Sequence, residues 1–269
     1  MLKGILKGVK EKLQMKYIAS CSFGKDSIAT VILAHMHNEP LDEIVFAEVM
    51  FDETLSGENP LHRDFIYNVA IPTFEDWGYK VTVVKSQRMN YIKSYYSVVT
   101  KSKTSERNGK LRGWLLLFGC TMNSNCKLQP IRDYYKKQME KEEVIQYIGI
   151  ATDEPKRLER LSENKISLLV KYGYSEKMAY DLCKEYNLLS PIYQHFKRNG
   201  CWFCPNATDN EFIFLIKNYP ELWQKLKELK KENLANYKFN RKDTFEELEQ
   251  RLNKKIQIAQ AQQKLNLQL

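Results

Sequence analysis

Short runs rich in Val and Ile alternate with helical patterns over the first 150 residues, and this alternation most constrains the fold. The strand-like runs lie at 16–20, 43–51, 80–86 and 143–151, and helical spacing appears near 26–38 and 60–77. Nearly continuous apolar strands are buried on both faces, and helical connections between them make the strands parallel. The sequence therefore predicts an α/β fold with a doubly wound, mostly parallel sheet.

The segment after the first predicted strand has the composition of a phosphate-binding turn. It reads SCSFGKDS over 20–27. It is not a Walker A loop, which needs a second Gly and places Ser or Thr directly after Lys. Gly24 still lets the backbone approach an anion, the following helix offers free N–H groups and the positive end of its dipole, and Lys25 adds a charge. A simple helix cap is the structural alternative.

This loop resembles the PP-loop of the ATP pyrophosphatases, the adenine nucleotide α-hydrolase superfamily, which reads S-G-G-x-D-S/T. Phe23 stands where that pattern has its first Gly. Further segments resemble the PAPS reductase-like family of this superfamily, although Ala151 replaces an Arg of its fourth segment. They are MFDETLSGENPLHRDFI (50–66), GCTMNSNCKLQPIRDYY (119–135), GIATDEPKRLERL (149–161) and LLSPIYQHFKRNGCWFCPN (188–206).

The resemblance implies an enzyme that grips the phosphates of ATP, transfers AMP to an acceptor and releases pyrophosphate. Lys25 and Asp26 are the catalytic candidates, and Mg²⁺ is expected to bridge the phosphates with help from Asp26 or Asp52. The implied nucleotide site comprises Ser22, Phe23, Gly24, Lys25, Asp26, Ser27 and Asp52. A second anion or substrate site is expected at Lys127, Asp153, Glu154, Arg157 and Arg160, for which a surface ion-pair patch is the alternative.

The cysteines predict a metal site. Cys120 and Cys126 form one pair, and Cys201 and Cys204 form a C-x-x-C followed by Pro. Two pairs that a fold brings together can supply four thiolates, which suit zinc or an iron–sulfur cluster. The resemblance favours an iron–sulfur cluster of the [4Fe–4S] type, with Zn²⁺ as the alternative, and a site limited to 201 and 204 also stays open. The two remaining cysteines, Cys21 and Cys183, are interpreted as core residues, and His62 as a surface residue.

The net charge of +9 is concentrated between Lys85 and Lys137, where twelve Lys and Arg accompany two acidic residues. With Tyr91, Tyr95, Tyr96 and Trp114 interleaved, this segment predicts DNA or RNA as a partner, through phosphate contacts and base stacking. The alternative is a basic loop, 100–110, that closes over the nucleotide as a lid. A sulfur-donor protein is a further expected partner.

The predicted organisation has three parts: an N-terminal amphipathic helix (1–16), a nucleotide-binding α/β domain with the cysteine site (17–206) and a helical C-terminal appendage (207–269). The apolar runs are too short to span a membrane, and no signal peptide is recognisable, so a cytoplasmic protein is expected.

Three functions compete on this evidence. The first is an ATP-dependent adenylating enzyme in sulfur transfer or nucleic-acid modification, the second is a sulfonucleotide (PAPS or APS) reductase, and the third is a nucleotide-binding module without catalysis. Such reductases use a nucleophilic Cys in a C-terminal E-C-G-[IL]-H segment, and this sequence has no Cys after Cys204. The adenylating enzyme is therefore the preferred hypothesis.

Overall fold

The computed structural model describes residues 15–100, 104–115 and 119–266. Five parallel strands form the central sheet in the order β3-β2-β1-β5-β6, and two shorter ones, β4 and β7, pair with each other in parallel elsewhere. The strands are β1 (Met15–Ser20), β2 (Glu43–Ala47), β3 (Lys80–Val84), β4 (Leu111–Gly113), β5 (Glu143–Ile148), β6 (Lys165–Ile166) and β7 (Leu234–Asn236). The predicted parallel α/β fold is thus confirmed.

Helices and helical turns connect and cover these strands. The α-helices are α1 (Lys25–Met36), α2 (Pro60–Phe65), α3 (Ile71–Asp76), α4 (Tyr91–Tyr95), α5 (Gln129–Met139), α6 (Pro155–Leu158), α7 (Leu168–Lys171), α8 (Glu176–Glu185), α9 (Asp209–Asn218), α10 (Pro220–Lys227) and α11 (Phe245–Asn266). Ile66–Ala70 and Asn123–Leu128 are π-helical, and Pro191–Gln194 is a 3₁₀ turn. The helix predicted near 60–77 is accordingly a run of α2, a π-helical turn and α3.

Alternate side chains of the central strands enter two different cores, as the period of a strand requires. Ala19 of β1 and Phe46 of β2 belong to the larger core, which α1, α3, α7 and α8 cover. Ile18 and Val45 point to the opposite face, where they pack with Tyr135 of α5. Both faces of the sheet are therefore covered, which explains why its strands are almost continuously apolar.

The strand order reverses beside β1. The chain passes from β1 through α1 to β2 on one side, and later returns to place β5 on the other side. In open parallel sheets, the crevice at the carboxyl ends of two such strands is the usual ligand site. The loop at 21–24 and the loop that begins at Gly149 leave the sheet at this point.

A second core joins the C-terminal region to the middle of the chain. Phe212, Trp223 and Phe245 from 207–266 pack with Trp114, and β7 pairs with β4. Tyr91 and Tyr95 are fully buried here, and Trp114 is only 1% exposed. The prediction that these three rings stack on nucleic-acid bases is therefore wrong, because they are core residues; of the four aromatics only Tyr96 is exposed.

The predicted N-terminal helix and the predicted basic loop are only partly covered by the described residues. Met15 and Lys16 belong to β1, and the rest of the predicted N-terminal helix lies outside the described residues. The same holds for positions 101–103 of the predicted basic loop. Within the described ranges, no helix combines the length and apolarity needed to cross a membrane.

Candidate functional site

Ser27 organises the loop between β1 and α1. Its hydroxyl oxygen accepts a hydrogen bond from the N–H of Ser22 at 3.2 Å and donates one to the carbonyl of Gly24 at 3.0 Å. The thiol of Cys21 donates to the same oxygen at 3.6 Å. Burial raises the pKa of Cys21 to about 11, so it is a neutral thiol, in agreement with its interpretation as a core residue. Hydrogen bonds among its own residues therefore fix the conformation of the loop.

Phe23 explains how the chain tolerates the loss of a glycine in this loop. Its backbone has φ = 56°, in the left-handed region that costs an ordinary residue roughly 1–2 kcal/mol. The side chain is completely buried and packs edge-on against Phe46 and parallel to Phe74. The aromatic contacts offset the strain, and the ring faces the core. Phe23 therefore lies in the loop but offers a ligand only its backbone.

Gly149 brings the carboxyl end of β5 against the start of α1. A Cβ at this position would lie 2.7 Å from the carbonyl carbon of Asp26 and 2.7 Å from the nitrogen of Ser27. Only glycine permits this approach, since both neighbours are backbone atoms. The sequence marked Gly149 as the start of a family-like segment, and the structure supplies the physical reason.

Lys25 lies in a group of carboxylates beside the loop. Its ammonium donates to Asp26 at 2.9 Å and to Glu176 at 2.7 Å. Burial opposes its charge, but the hydrogen bonds to Glu176 and Asp26 outweigh burial and raise the pKa of Lys25. Burial also raises the pKa of Asp26, and the charges of Glu176 and Glu154 add to this against the effect of Lys25. Lys25 is thus held charged, next to oxygen ligands of the kind that Mg²⁺ prefers.

The segment 190–200 covers the loop. The hydroxyl of Tyr193 accepts a hydrogen bond from the N–H of Lys25 at 3.0 Å, which is the first N–H of α1. A Cβ on Gly24 would lie 3.3 Å from Oδ1 of Asn199 and 3.4 Å from the Tyr193 hydroxyl. Two polar side chains therefore occupy the space in front of the helix. Sequence reasoning did not single out Tyr193, Asn199 or Glu176, although the first two lie in a segment that it had matched to the family.

His62 connects this covering segment to α2. It is fully buried, so the interpretation as a surface residue is wrong. Nδ1 lies 2.8 Å from the hydroxyl of Ser190, and Nε2 lies 3.0 Å from Nδ2 of Asn199. Burial lowers the pKa of His62, which keeps the ring neutral. The polarity of His had suggested exposure, but these partners allow it to be buried.

Asp52 lies in the turn after β2 and stabilises that turn. Its Oδ1 accepts hydrogen bonds from the N–H of Thr54 at 2.9 Å and from the N–H of Leu55 at 2.7 Å. Burial opposes ionisation, but these backbone donors lower the pKa of Asp52 overall. The carboxylate is therefore ionised, with one oxygen committed to its own turn.

The predicted second anion site divides into two places. Asp153 accepts from the N–H of Glu176 at 3.1 Å and so caps α8, while Glu154 pairs with Arg157 at 2.5 Å. Arg157 and Arg160 are exposed beside them. Lys127 lies elsewhere, where the charge of Glu58 raises its pKa against the effect of burial. Ion pairing is the observed state of Glu154 and Arg157, as the alternative interpretation expected.

Three of the four candidate metal-ligating cysteines pack on the second core: Cys120, Cys126 and Cys201. Burial raises the pKa of Cys201 and the charge of Glu58 raises it further, while Lys127 lowers it; Cys204 and Cys120 make smaller contributions that raise it. The Cys126 thiol instead donates to the carbonyl of Met89 at 3.3 Å. Among the described residues, no three His, Cys, Asp or Glu side chains are close enough together to hold a metal ion.

The four cysteines differ in how well they are placed to bind a soft metal ion or a cluster. Cys120, Cys201 and Cys204 fit by residue type, and Cys204 and Cys120 are among the groups that influence the pKa of Cys201. Cys126 lies in the same core. To bind a metal, its thiol would have to give up its hydrogen bond to the carbonyl of Met89. The residue types thus suit zinc or iron, but no three of these side chains are close enough together in the described structure to hold either one.

An open basic cleft lies between the carboxyl end of β3 and α5. It has a volume of about 770 Å³. Its cationic lining residues are Lys85, Arg88, Lys136 and Lys137, and its acidic ones are Asp133 and Glu140. All four cations are exposed, and Lys85 is paired with the buried Glu48 at 2.8 Å. The lining of the cleft therefore has more cations than carboxylates.

No family model matches the chain. Two uncharacterized proteins of Methanocaldococcus jannaschii are similar to it: MJ0066 is 23% identical over 82% of this chain, and MJ0973 is 26% identical over 77%. The chain spans less than half the length of these relatives, 43% and 45% respectively.

Among solved structures, the chain is similar to the U34-tRNA thiolase NcsA from Methanococcus maripaludis, determined with its [4Fe-4S] cluster. The alignment covers 82% of this chain and 74% of the thiolase, with 15% identity and a TM-score of 0.38. Values of this size assign neither a family nor an activity.

Proposed function

We propose that the chain is a PP-loop enzyme that binds ATP at residues 22–27, transfers AMP to an acceptor and releases pyrophosphate, in sulfur transfer or nucleic-acid modification. The observation that carries this proposal is the position of the loop. SCSFGKDS lies between a parallel strand and a twelve-residue helix, at the point where the strand order reverses. Both general physics and the resemblance to the PAPS reductase-like family assign nucleotide phosphates to this place.

In this proposal each group of the loop has a defined task. The hydroxyl of Ser22 and the N–H groups at the start of α1 donate to phosphate oxygens, while Ser27, whose proton goes to the carbonyl of Gly24, maintains the conformation of the loop. Lys25 neutralises charge that develops as pyrophosphate leaves, and Asp26 with neighbouring carboxylates holds Mg²⁺. Such catalysis depends on positioning and electrostatics more than on covalent chemistry. Phe23 contributes through its backbone, and Asp52 is a further candidate for Mg²⁺ through its second oxygen.

We further propose that Cys120, Cys126, Cys201 and Cys204 hold an iron–sulfur cluster, with Zn²⁺ as the alternative. When bound, a cluster supplies a site that can exchange electrons or bind sulfur, whereas zinc supplies a structural centre. Lys127 is expected to balance the negative charge of the thiolates, since Glu58 foremost, and then Cys201 and Cys120, raise the pKa of Lys127. Metal analysis and an absorption spectrum after anaerobic purification distinguish the two.

Nucleotide binding is tested by replacing Lys25. Lys25→Met removes a charged donor, and we expect the affinity for ATP with Mg²⁺ to fall by about tenfold to a hundredfold, because a hydrogen bond to a charged group contributes roughly 1.5–3 kcal/mol. Lys177→Met is the matched control, since Lys177 also pairs with a carboxylate but is 76% exposed. Equilibrium dialysis with labelled ATP gives both affinities, and equal losses for the two variants would refute the assignment.

Gly24→Val tests the close approach of phosphate independently. A branched Cβ meets Asn199, Tyr193 and any phosphate in front of α1, so ATP binding should be abolished. Release of pyrophosphate, measured with candidate acceptors, then separates an enzyme from a nucleotide-binding module without catalysis.

We propose RNA or DNA as the larger partner and assign its backbone to the basic cleft. The support is charge: Arg88, Lys136 and Lys137 are exposed on one open surface. Replacing Lys136 by Ala should weaken binding at low salt and reduce the slope of log affinity against log salt by about one. If the predicted basic loop is only a lid, nucleic-acid binding will be absent.

A further inference from the structure

A chain of hydrogen bonds links the nucleotide loop to the segment that carries the second cysteine pair. The N–H of Lys25 donates to the hydroxyl of Tyr193 at 3.0 Å, and Nδ2 of Asn199 lies 3.4 Å from the carbonyl of Ser22. Asn199 precedes Cys201 by two residues. The loop that would receive phosphate and the cysteine pair are therefore joined through a single short stretch of backbone.

His62 holds this link from the buried side. The amide of Asn199 has two N–H donors, and they are directed to Nε2 of His62 and to the carbonyl of Ser22. Nε2 must then accept, which places the ring proton on Nδ1, where it can donate to the hydroxyl of Ser190 at 2.8 Å. A neutral His62 thus satisfies both of its nitrogens and fixes the orientation of Asn199.

The far end of the segment is anchored as firmly as the near end. The backbone N–H of Trp202 donates to the carbonyl of Gly57 at 3.0 Å, and its indole N–H donates to the carbonyl of Ser56 at 3.0 Å. Glu58 and Cys201 form an isolated antiparallel bridge. A displacement of Asn199 cannot be absorbed in a free loop, because only Gly200 separates it from these contacts.

We propose that His62 and Asn199 are positioning residues that couple occupation of the nucleotide loop to the position of the Cys201–Cys204 pair. This inference rests on the proposed binding of ATP at 22–27. A phosphate that takes the N–H of Lys25 must displace the Tyr193 hydroxyl, and a phosphate in front of Gly24 must move Asn199. Because only Gly200 separates Asn199 from Cys201, a displacement of Asn199 from His62 and Ser22 acts directly on the backbone of Cys201 and shifts its position.

Hydrogen exchange of the full chain, with and without ATP and Mg²⁺, measures this coupling. In the wild type, ATP should slow exchange in residues 20–28, which phosphate covers, and should accelerate exchange in 190–207. A coupling free energy at the lower end of the usual range corresponds to a change of about fivefold. In Asn199→Ala, ATP should still slow exchange in 20–28, but the response of 201–207 should disappear.

Variants of His62 separate positioning from simple support of the fold. His62→Gln supplies an amide near the position of Nε2 and should keep most of the response, whereas His62→Phe should abolish it. Asn218→Ala is the matched control, because Asn218 is exposed and donates to the carbonyl of Phe214 within its own helix. If His62→Phe fails to fold, Asn199→Ala and His62→Gln still decide the question.

Failure of the inference and failure of the proposed function give different results. A wild type whose residues 20–28 are not protected by ATP refutes nucleotide binding there, and the inference with it. Protection of 20–28 without any change in 201–207 refutes the coupling alone. A full response of 201–207 in Asn199→Ala also refutes it.

Discussion

The nucleotide loop and the cysteine segment lie in two regions that are built in different ways. The loop belongs to a core of residues around the parallel sheet, where each strand is followed by its own helix. The cysteine segment belongs to a second core that collects side chains from Val49 to Leu252, with only β4 and β7 as a small sheet. The first region is defined by local alternation, and the second by contacts between distant parts of the chain.

The two regions also bury charge differently. In the first, Glu43 is 1% exposed and contacts Lys16 at 3.1 Å and Lys80 at 2.8 Å. In the second, Glu58 is 2% exposed, and its Oε1 has a single ion pair, with Lys127 at 3.4 Å; each of the two glutamates has one oxygen without a hydrogen bond. A buried carboxylate with few partners is costly and is retained where it serves a purpose. The difference between the regions is that Glu43 has two cations beside it and Glu58 has one.

The largest effect is expected from Phe245→Ala, which tests whether α11 is an integral part of the second core. Phe245 is 2% exposed and stacks on Trp114 and Trp223 at 5.3 and 4.9 Å. Its truncation should lower the free energy of unfolding by about 3–5 kcal/mol. Tyr237→Ala, at a residue that is 61% exposed, should change it by less than about 0.5 kcal/mol.

Urea unfolding followed by tryptophan fluorescence measures both variants. A loss below 1 kcal/mol in Phe245→Ala would mean that α11 is peripheral. A separate transition of the Trp114 and Trp223 signal would show that the two regions unfold independently.

Glu58, which is buried, and Lys127, which is 28% exposed, should behave as a pair. Lys127→Met leaves Glu58 buried without a cation, and we expect a loss of about 3–5 kcal/mol. Adding Glu58→Gln should recover most of this loss, since replacing both charges of a buried pair is often nearly neutral. A double variant that is stable but no longer binds metal would assign Lys127 to the cysteine site; one that remains as unstable as Lys127→Met would contradict the pairing.

Glu43 gives the first region a defined dependence on pH. Burial opposes its ionisation, but hydrogen bonds from Lys80, Thr82, Tyr134 and Lys16 lower its pKa to about 2. Because the folded-state pKa lies below the unfolded value, the contribution is complete above about pH 4.5 and is lost as the pH falls towards 2. Glu43→Gln should therefore cost about 3 kcal/mol at pH 7 and little at pH 2.

The control for this variant is Glu142→Gln, whose carboxylate contacts the same Lys16 at 3.7 Å but is 29% exposed. Its effect should stay within about 0.5 kcal/mol at both pH values. If the cost of Glu43→Gln is the same at pH 2 and pH 7, the loss is one of packing and not of charge.

The contrast between the regions also explains what the sequence could predict. The strand–loop–helix around SCSFGKDS is encoded within twenty residues, so its position at the sheet edge follows from local pattern. Tyr91 and Trp114 show the limit. Their neighbours in sequence are basic, but the partners that bury them, Phe203 and Phe245, lie more than a hundred residues away. His62 was misjudged for the same reason, because Ser190 and Asn199 are also remote in sequence.

The smallest effect is expected from Tyr193→Phe, at the boundary between the two regions. The variant removes the hydroxyl that accepts the N–H of Lys25 and leaves that N–H free for phosphate. A neutral hydrogen bond contributes roughly 0.5–1.5 kcal/mol, so the affinity for ATP should increase by about twofold to tenfold. Tyr180→Phe is the control, because Tyr180 lines a pocket together with Lys25 and Tyr193, and the ring centroids of Tyr180 and Tyr193 are 6.2 Å apart. A fall in affinity would instead identify the Tyr193 hydroxyl as a ligand of the nucleotide, and the covering segment would then close over ATP and not yield to it.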